Sequence, residues 1–450
     1  MNRLVAEAPT PGPARPWSFP SWQRHWVDGG TVLAAHLPGQ QLAAVALVVD
    51  AGATTEPTGQ EGVALLTARL LGEGTQVRDA FEFGVAVERL GASWHADVDW
   101  DSLRVGFDAP VTALPDAVDL LAEAVRRPAF SPTDVERVRD DRLDELRAEL
   151  LQPAARASAT FNAHTFAAPS RYGRPDGGDP ESVAAVTDDD VRAFHAARFA
   201  PGAATLVVAG DLSRVDAADL GRRTFSGWTA GMAPVASPVV TPVDGGRRIV
   251  VVDRPGSVQS VLVIGHPGPP RAIEDYVPTT TMAIALGGMF SARLNMKLRE
   301  ERGFTYGASA GFGMRRHGGI FAARASVHAE PTAQAVADTV AEIERLQRDG
   351  IDADELDQVR RYRAGVFPIQ FASPYAVAGA LGDLTVHGLP DDYFDRVRHQ
   401  IAEVPLDAVN EAARRRLHPD RLLTVVVGDA SVVADGLREI GAGAVEVVSD

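Results

Sequence analysis

The 450-residue chain contains no cysteine. Disulfides, thiolate metal sites and a cysteine nucleophile are thereby excluded, and the composition fits a reducing compartment, with the cytoplasm as the expected location. Lysine is nearly missing as well: of 44 basic residues only Lys297 is not arginine, a bias that points to the codon usage of a GC-rich bacterial genome rather than to any physical requirement. Histidine occurs 11 times, but no two lie three or four residues apart, so no helix presents a histidine pair to a metal. No apolar run approaches the ~20 residues of a membrane helix. The opening MNRLVAEAPTPGPARPW lacks an apolar h-region followed by a small-residue cleavage site, and residues 1–16 read as a disordered arm rather than a signal peptide. A net charge of −16, from 44 basic against 60 acidic side chains, argues against nucleic acid as a partner, because neutralising phosphates takes a concentrated basic surface.

What is present is an ordinary globular composition, 45% hydrophobic and 23% charged, on a chain too long for one hydrophobic core. The segment ATLVVAGDLS (204–213) recurs as LLTVVVGDAS (422–431), and in the same register Val191 matches Val409, Pro201 matches Pro419, and Gly210-Asp211 matches Gly428-Asp429. Each copy reads as a helix, a proline turn, a buried strand and a Gly-Asp turn. Between the copies, 226–248 is rich in Pro, Gly and small residues without helical period. The spacing therefore predicts a first α+β domain over 17–230, a linker over 231–247 and a homologous second domain over 248–450. Strands are expected at TVLAAHLP, LAAVALVVDAG, SLRVGFDAP, RIVVVDRP, SVLVIGHPG and GIFAARASVH. Helices are expected near 60–72, 79–90, 113–126, 132–151, 276–287, 291–302, 331–349 and 353–364. Several strands alternate in apolarity, as in a mostly antiparallel sheet with one covered face, so each domain is expected to be one such sheet layered with helices.

At 286–310 the chain reads LGGMFSARLNMKLREERGFTYGASA. Ser291 is placed to cap a helix whose Leu294 and Leu298 share a face, and Gly303 to end it in the left-handed conformation. Arg299 then falls in the last turn, with Tyr306 just past the corner as its expected polar neighbour. This stretch resembles the second-half signature of the pitrilysin/insulinase family of zinc metallopeptidases (inverzincins), in which a Gly-rich turn leads into a helix bearing Leu-Arg and a Tyr follows seven residues after the Arg. The resemblance implies that Arg299 and Tyr306 are catalytic: the tyrosine donates to the oxygen of the tetrahedral intermediate and the arginine fixes nearby polar groups of the peptide. Removing one such donor typically costs about 10²–10³ in rate.

The first half carries the resemblance too, and there the chain departs from the family. AGATTEPTGQEGVALLTARLLGEGT (51–75) is similar to the segment in which an acidic Pro-Gly turn precedes a helix with H-x-x-E-H, two histidines for zinc and a glutamate that activates the bound water. Leu65, Ala68 and Arg69 stand at those positions, and none offers a ligand or a base. Glu145, which matches the family's third ligand, reads as a helix-face carboxylate paired with Arg69. His95, in HADVDW (95–100), is read as structural. No metal or cofactor is therefore expected in this chain. The resemblance implies an accessory subunit of a heterodimeric peptidase, inert alone, whose homologous partner carries zinc and whose substrate is an unfolded oligopeptide or leader peptide. A non-catalytic assembly subunit of the same family and a homodimeric peptide-binding module are the alternatives.

Overall fold

The computed structural model describes residues 17–168, 170–229, 231, 238 and 240–449. The expected disordered arm lies outside them, as does much of the expected linker. In the first half β1 (Trp22–Val27), β2 (Gly30–His36), β3 (Leu42–Val49), β4 (Ser93–Val98), β5 (Leu103–Pro110) and β6 (Ala204–Gly210) form one sheet in the order β1-β2-β6-β3-β5-β4. In the second half β7 (Arg248–Asp253), β8 (Gln259–Gly268), β9 (Ala308–Met314), β10 (Gly319–His328), β11 (Leu423–Gly428) and β12 (Ala444–Ser449) stand in the order β12-β7-β11-β8-β10-β9. Pairing is antiparallel except for β2 with β6 and for β7 with both β11 and β12. With the outer strands β1 and β12 set aside, the two orders are the same, so the chain is two repeats of one α+β unit.

The repeat extends to single hydrogen bonds. Asp211, at the end of β6, accepts the Gly39 N–H at 2.9 Å in the β2–β3 turn, and Asp429, at the end of β11, accepts the Gly256 N–H at 2.7 Å in the β7–β8 turn. Both glycines have φ of +79°, a conformation that costs little only without a Cβ. The backbone N–H of Gly39 is the largest of the influences that lower the Asp211 carboxyl to about 2. The Gly-Asp pairs that betray the duplication in sequence are thus clasps between a central strand and the turn beside it.

The central strands are apolar on both sides because both sheet faces are covered, which corrects the expectation of one covered face. One face packs against the helices of its own half. The other face is covered by a helix of the opposite half. Ala157 and Phe161 of helix Pro153–Thr165, with Phe166 and Tyr172, pack on Val250, Val252, Val263, Val425 and Val427 of the second sheet. Reciprocally, Val377, Leu381 and Leu384 of helix Pro374–Val386 pack on Leu33, Val48 and Val207 of the first sheet. The turn between β9 and β10 adds a polar bolt. The Arg316 N–H donates to Asp101 (2.7 Å), while its guanidinium reaches Asp50 (2.7 Å) and the carbonyl of Val386 (2.9 Å). The described end of the expected linker is likewise tied down, with Ala167 donating to the Thr241 carbonyl and Val243 to that of Thr165, both at 2.8 Å.

Candidate functional site

The helix at the family's metal position, Val63–Leu70, is held at its N-terminus by a buried acid. Glu56 accepts the N–H groups of Gly62 (2.9 Å) and Ala64 (3.0 Å) on one oxygen and the Arg171 guanidinium (3.0 and 2.7 Å) on the other. Burial pushes its carboxyl up to about 7 although Arg171 and the backbone donors oppose the shift. The acidic Pro-Gly turn therefore does its mechanical task of fixing the helix. Along that helix Leu65 and Arg69 lie one turn apart, and Ala68 is wholly buried.

Glu145, on helix Pro132–Leu150, receives two parallel hydrogen bonds from Arg69 at 3.0 and 2.8 Å and a third from Arg142 at 3.1 Å. The Arg69 hydrogen bond, with help from Arg142, holds its carboxyl below the usual range. The residues here do not fit a zinc ion: Leu65 and Ala68 have no lone pair to give, and the Glu145 carboxylate is bound to the Arg69 guanidinium. The counter-charge of Glu145 here is the Arg69 guanidinium, as the pairing read from the sequence anticipates. Among the described residues no three His, Cys, Asp or Glu side chains converge elsewhere in a metal-holding group.

The second-half motif is built differently from the expected α-helix. Helix Tyr276–Ala283 runs into a π-helical turn, Ile284–Gly288, and after a turn at 289–292 a second π-helical segment covers Asn295–Glu301. Ser291 sits in that intervening turn rather than at a cap. Gly287 is required by packing, since a Cβ there would lie 2.3 Å from the backbone nitrogen of Ala310 in β9. Buried Asn295 pins the segment, donating to the Met289 carbonyl (3.1 Å) and accepting the Ala308 N–H (2.8 Å). Leu294 and Leu298 are buried as expected, and Gly303, with φ of +66°, ends the helix as Gly303 N–H bonds Arg299 O and Phe304 N–H bonds Leu298 O. π-Helical turns put side chains out of α register and concentrate at functional sites.

Arg299, half-buried, and Tyr306, exposed, are joined by no hydrogen bond or cation–ring contact, so the expected polar pair is not formed. The Arg299 guanidinium lies 4.5 Å from the ring centre of Phe290, itself 64% exposed, and 3.5 Å from the neighbouring Glu300. Tyr306 is 94% exposed, which is extreme for an aromatic side chain. Sequence reasoning passed over Phe290 and Asn295, though both fall inside the motif; an aromatic after a Gly-Gly turn was the available signal. The edge strand β4 carries His95, 3.2 Å from Asp108 of β5 and edge-on to Tyr375.

Two family models match these halves: "Insulinase (Peptidase family M16)" over residues 31–172 and "Peptidase M16 inactive domain" over 185–362. The chain belongs to peptidase family M16, the insulinase family. Among curated M16 relatives, an uncharacterised zinc protease of Mycobacterium tuberculosis is 27% identical over 412 residues, 91% of this chain and 94% of that one. A non-peptidase homolog of Helicobacter pylori is 21% identical over 388 residues, covering 85% and 88%. The crystal structure of a peptidase M16 inactive domain from Pseudomonas fluorescens superposes with a TM-score of 0.85 at 26% identity, covering 91% of this chain and 98% of the other. The names of these M16 relatives thus divide between protease and non-peptidase.

Proposed function

We propose that this chain is the zinc-less subunit of a two-chain M16 peptidase, in which Arg299 and Tyr306 complete, on bound peptide, a site whose zinc and general base belong to a homologous partner. The observation that carries the reading is the presentation of Tyr306. A phenol that is 94% exposed, at the end of a helix fixed by Asn295 and by the close approach of Gly287 to β9, has little to do within its own chain and is available to an oxyanion brought to it. The half-exposed Arg299 beside the exposed Phe290 fits the same role of holding a peptide. The kinship to a protein named as a non-peptidase homolog agrees with a chain that is inert by itself.

The test is reconstitution. A homologous chain bearing H-x-x-E-H from the same genome is mixed with this one, and cleavage of a quenched-fluorescent peptide is followed. Activity is expected only in the mixture, with Tyr306→Phe lowering kcat about 10²–10³-fold and Arg299→Ala acting mainly through KM. Unchanged turnover in both variants would overturn the assigned roles. One equivalent of zinc retained by this chain alone would overturn the zinc-less assignment.

A further inference from the structure

Guanidinium groups withdrawn from solvent in this protein commonly end on a carboxylate, as Arg171 does on Glu56, Arg293 on Glu355, Arg416 on Asp275 and Arg142 on Glu149. Several in the second half do not, among them Arg360, which donates to the Val404 carbonyl, Arg363, and the half-buried Arg271 beside it. Arg363, on helix Ala353–Gln370, donates from Nη1 to the Thr281 hydroxyl (2.7 Å) and the Val277 carbonyl (3.4 Å). Arg271, just after β8, lies 3.5 Å above the ring of Tyr276 and donates to the Tyr393 hydroxyl at 2.5 Å. Every one of these acceptors is neutral.

Both arginines line one cavity of about 390 Å³. His387 lines it too, with a buried Nδ1 that lacks a hydrogen-bond partner. Burial lowers the pKa of the Arg363 guanidinium and of His387, the expected mark of cationic groups short of counter-charge. Among the described residues the lining holds one carboxylate, Asp383, and it is engaged by Arg104 at 2.6 Å. Desolvated cations are ordinarily paired, because taking an unpaired charge out of water is costly. Asp383 thus has a cation of its own, and neither Arg363 nor Arg271 donates to a carboxylate.

The shape of the surroundings narrows the ligand. Gln370, Phe371, Ala380 and Asp383 line this cavity and also a second one of about 420 Å³, whose other wall is the first sheet, apolar at Ala44, Val48 and Phe107 and charged or polar at its rim of His95, Asp97, Arg104 and Asp108. An anionic head between the arginines would thus be continuous with room for an apolar body. The planar donors of arginine match a carboxylate in two parallel hydrogen bonds. We propose that the cavity between Arg271 and Arg363 binds the carboxylate of a ligand with an apolar body, the body running past Phe371 toward the sheet of the first half. The site is separate from Arg299 and Tyr306 and requires no partner subunit, so its test does not depend on the peptidase reading.

The purified chain is titrated by calorimetry with an acetylated hexapeptide of leucine and alanine as the C-terminal acid, the same peptide as the amide, octanoate, and inorganic phosphate. The expected result is saturable binding of at least one carboxylate probe, with Arg363→Gln and Arg271→Gln each weakening it by about tenfold or more, the loss of one charge-assisted hydrogen bond. Binding of the peptide acid but not its amide assigns the carboxylate to a peptide terminus, and binding of octanoate alone assigns it to a small organic acid; either supports the site. Equal binding of acid and amide peptide, phosphate binding without carboxylate binding, no saturation by any probe, or affinities unchanged in both variants would overturn it. Arg363→Met, which keeps the packing of the stem and removes the uncompensated charge, is expected to melt no lower than the wild type. A large fall in its Tm would make Arg363 a structural tie and overturn the proposal.

Discussion

If the first half has lost its metal only by exchanging donors, returning the donors should return the metal. The perturbation is Leu65→His with Arg69→His. These positions are one turn apart on helix Val63–Leu70, where Cβ atoms are about 5–6 Å apart, and two imidazoles at that spacing can share a zinc ion with Zn–N of about 2.0–2.1 Å. The third donor is in place: Glu145 already reaches the end of the residue-69 side chain at 2.8 Å and is released when Arg69 goes. Its remaining partner, Arg142, has a second carboxylate to fall back on, Glu149 at 2.7 Å. Losing the half-exposed Arg69–Glu145 pair should itself cost no more than about 1 kcal/mol. At free zinc 100-fold above Kd, binding adds about 2.7 kcal/mol to stability, which for a unit of some 200 residues raises Tm by about 5–11 °C. The assay is a thermal melt of the double variant with and without zinc, alongside metal analysis after gel filtration. The single variant Arg69→His, with one imidazole, should show neither effect. A folded double variant that takes up no zinc would refute the view that the backbone of the metal site survives.

Three further outcomes follow from the geometry. His195 in the first half bonds the Val125 carbonyl at 2.8 Å and His266 in the second bonds that of Pro267 at 2.7 Å; burial lowers both to about 4. Their folded values lie below the unfolded value of about 6.5, so the stability they contribute is intact above pH 6.5 and lost as pH falls from there toward 4, up to about 3 kcal/mol each; urea midpoints that stay flat from pH 7 to 4.5 would contradict this. Arg316→Ala removes the ties to Asp50 and to the Val386 carbonyl and is expected to cost on the order of 2 kcal/mol, seen as faster proteolysis at the junction of the halves. Gly287→Ala forces a Cβ to 2.3 Å from the Ala310 nitrogen and should cost about 3 kcal/mol in a melt, with Tyr306 displaced as β9 moves.

The duplication was legible in the sequence because Gly-Asp at 210–211 and 428–429 does the same structural work twice, and identical work preserves identical residues. The six strands read from apolar runs are all present, because central strands buried on both faces have little choice of composition. The four left unread, β1, β4, β9 and β12, are edge strands, where side chains meet solvent and the pattern weakens: β4 has no fully buried residue, and Trp94, His95 and Ala96 are half-buried in succession. The helices Pro153–Thr165 and Pro374–Val386 went unread for another reason. PAARASATFNAHT and PYAVAGALGDLTV carry small residues rather than a sharp apolar stripe, since they lie flat on a sheet that belongs to the other half. Each opens on a proline in its first turn, the local signal that was there to be used. In the second-half motif the end of the helix at Gly303 was readable from sequence, but the π-helical register was not, because it is set by the contact of Gly287 with β9 and by the hydrogen bonds of Asn295, both of which reach outside the helix.

That exchange of helices also gives the first half a packing role that does not depend on a metal. Helix Pro153–Thr165 comes from the first half, yet the apolar face it covers is that of the sheet whose edge strand β9 fixes Asn295 and Gly287, and through them the presentation of Arg299 and Tyr306. Uncovering Val250, Val252, Val263, Val425 and Val427 would leave a contiguous apolar surface, the kind that drives aggregation in an isolated domain. The first half is therefore constrained by packing whether or not it does chemistry. Arginine fits at position 69 because it sets a positive charge beside Glu145 on the half-exposed side of a helix whose Leu66, Thr67, Ala68 and Leu70 are buried.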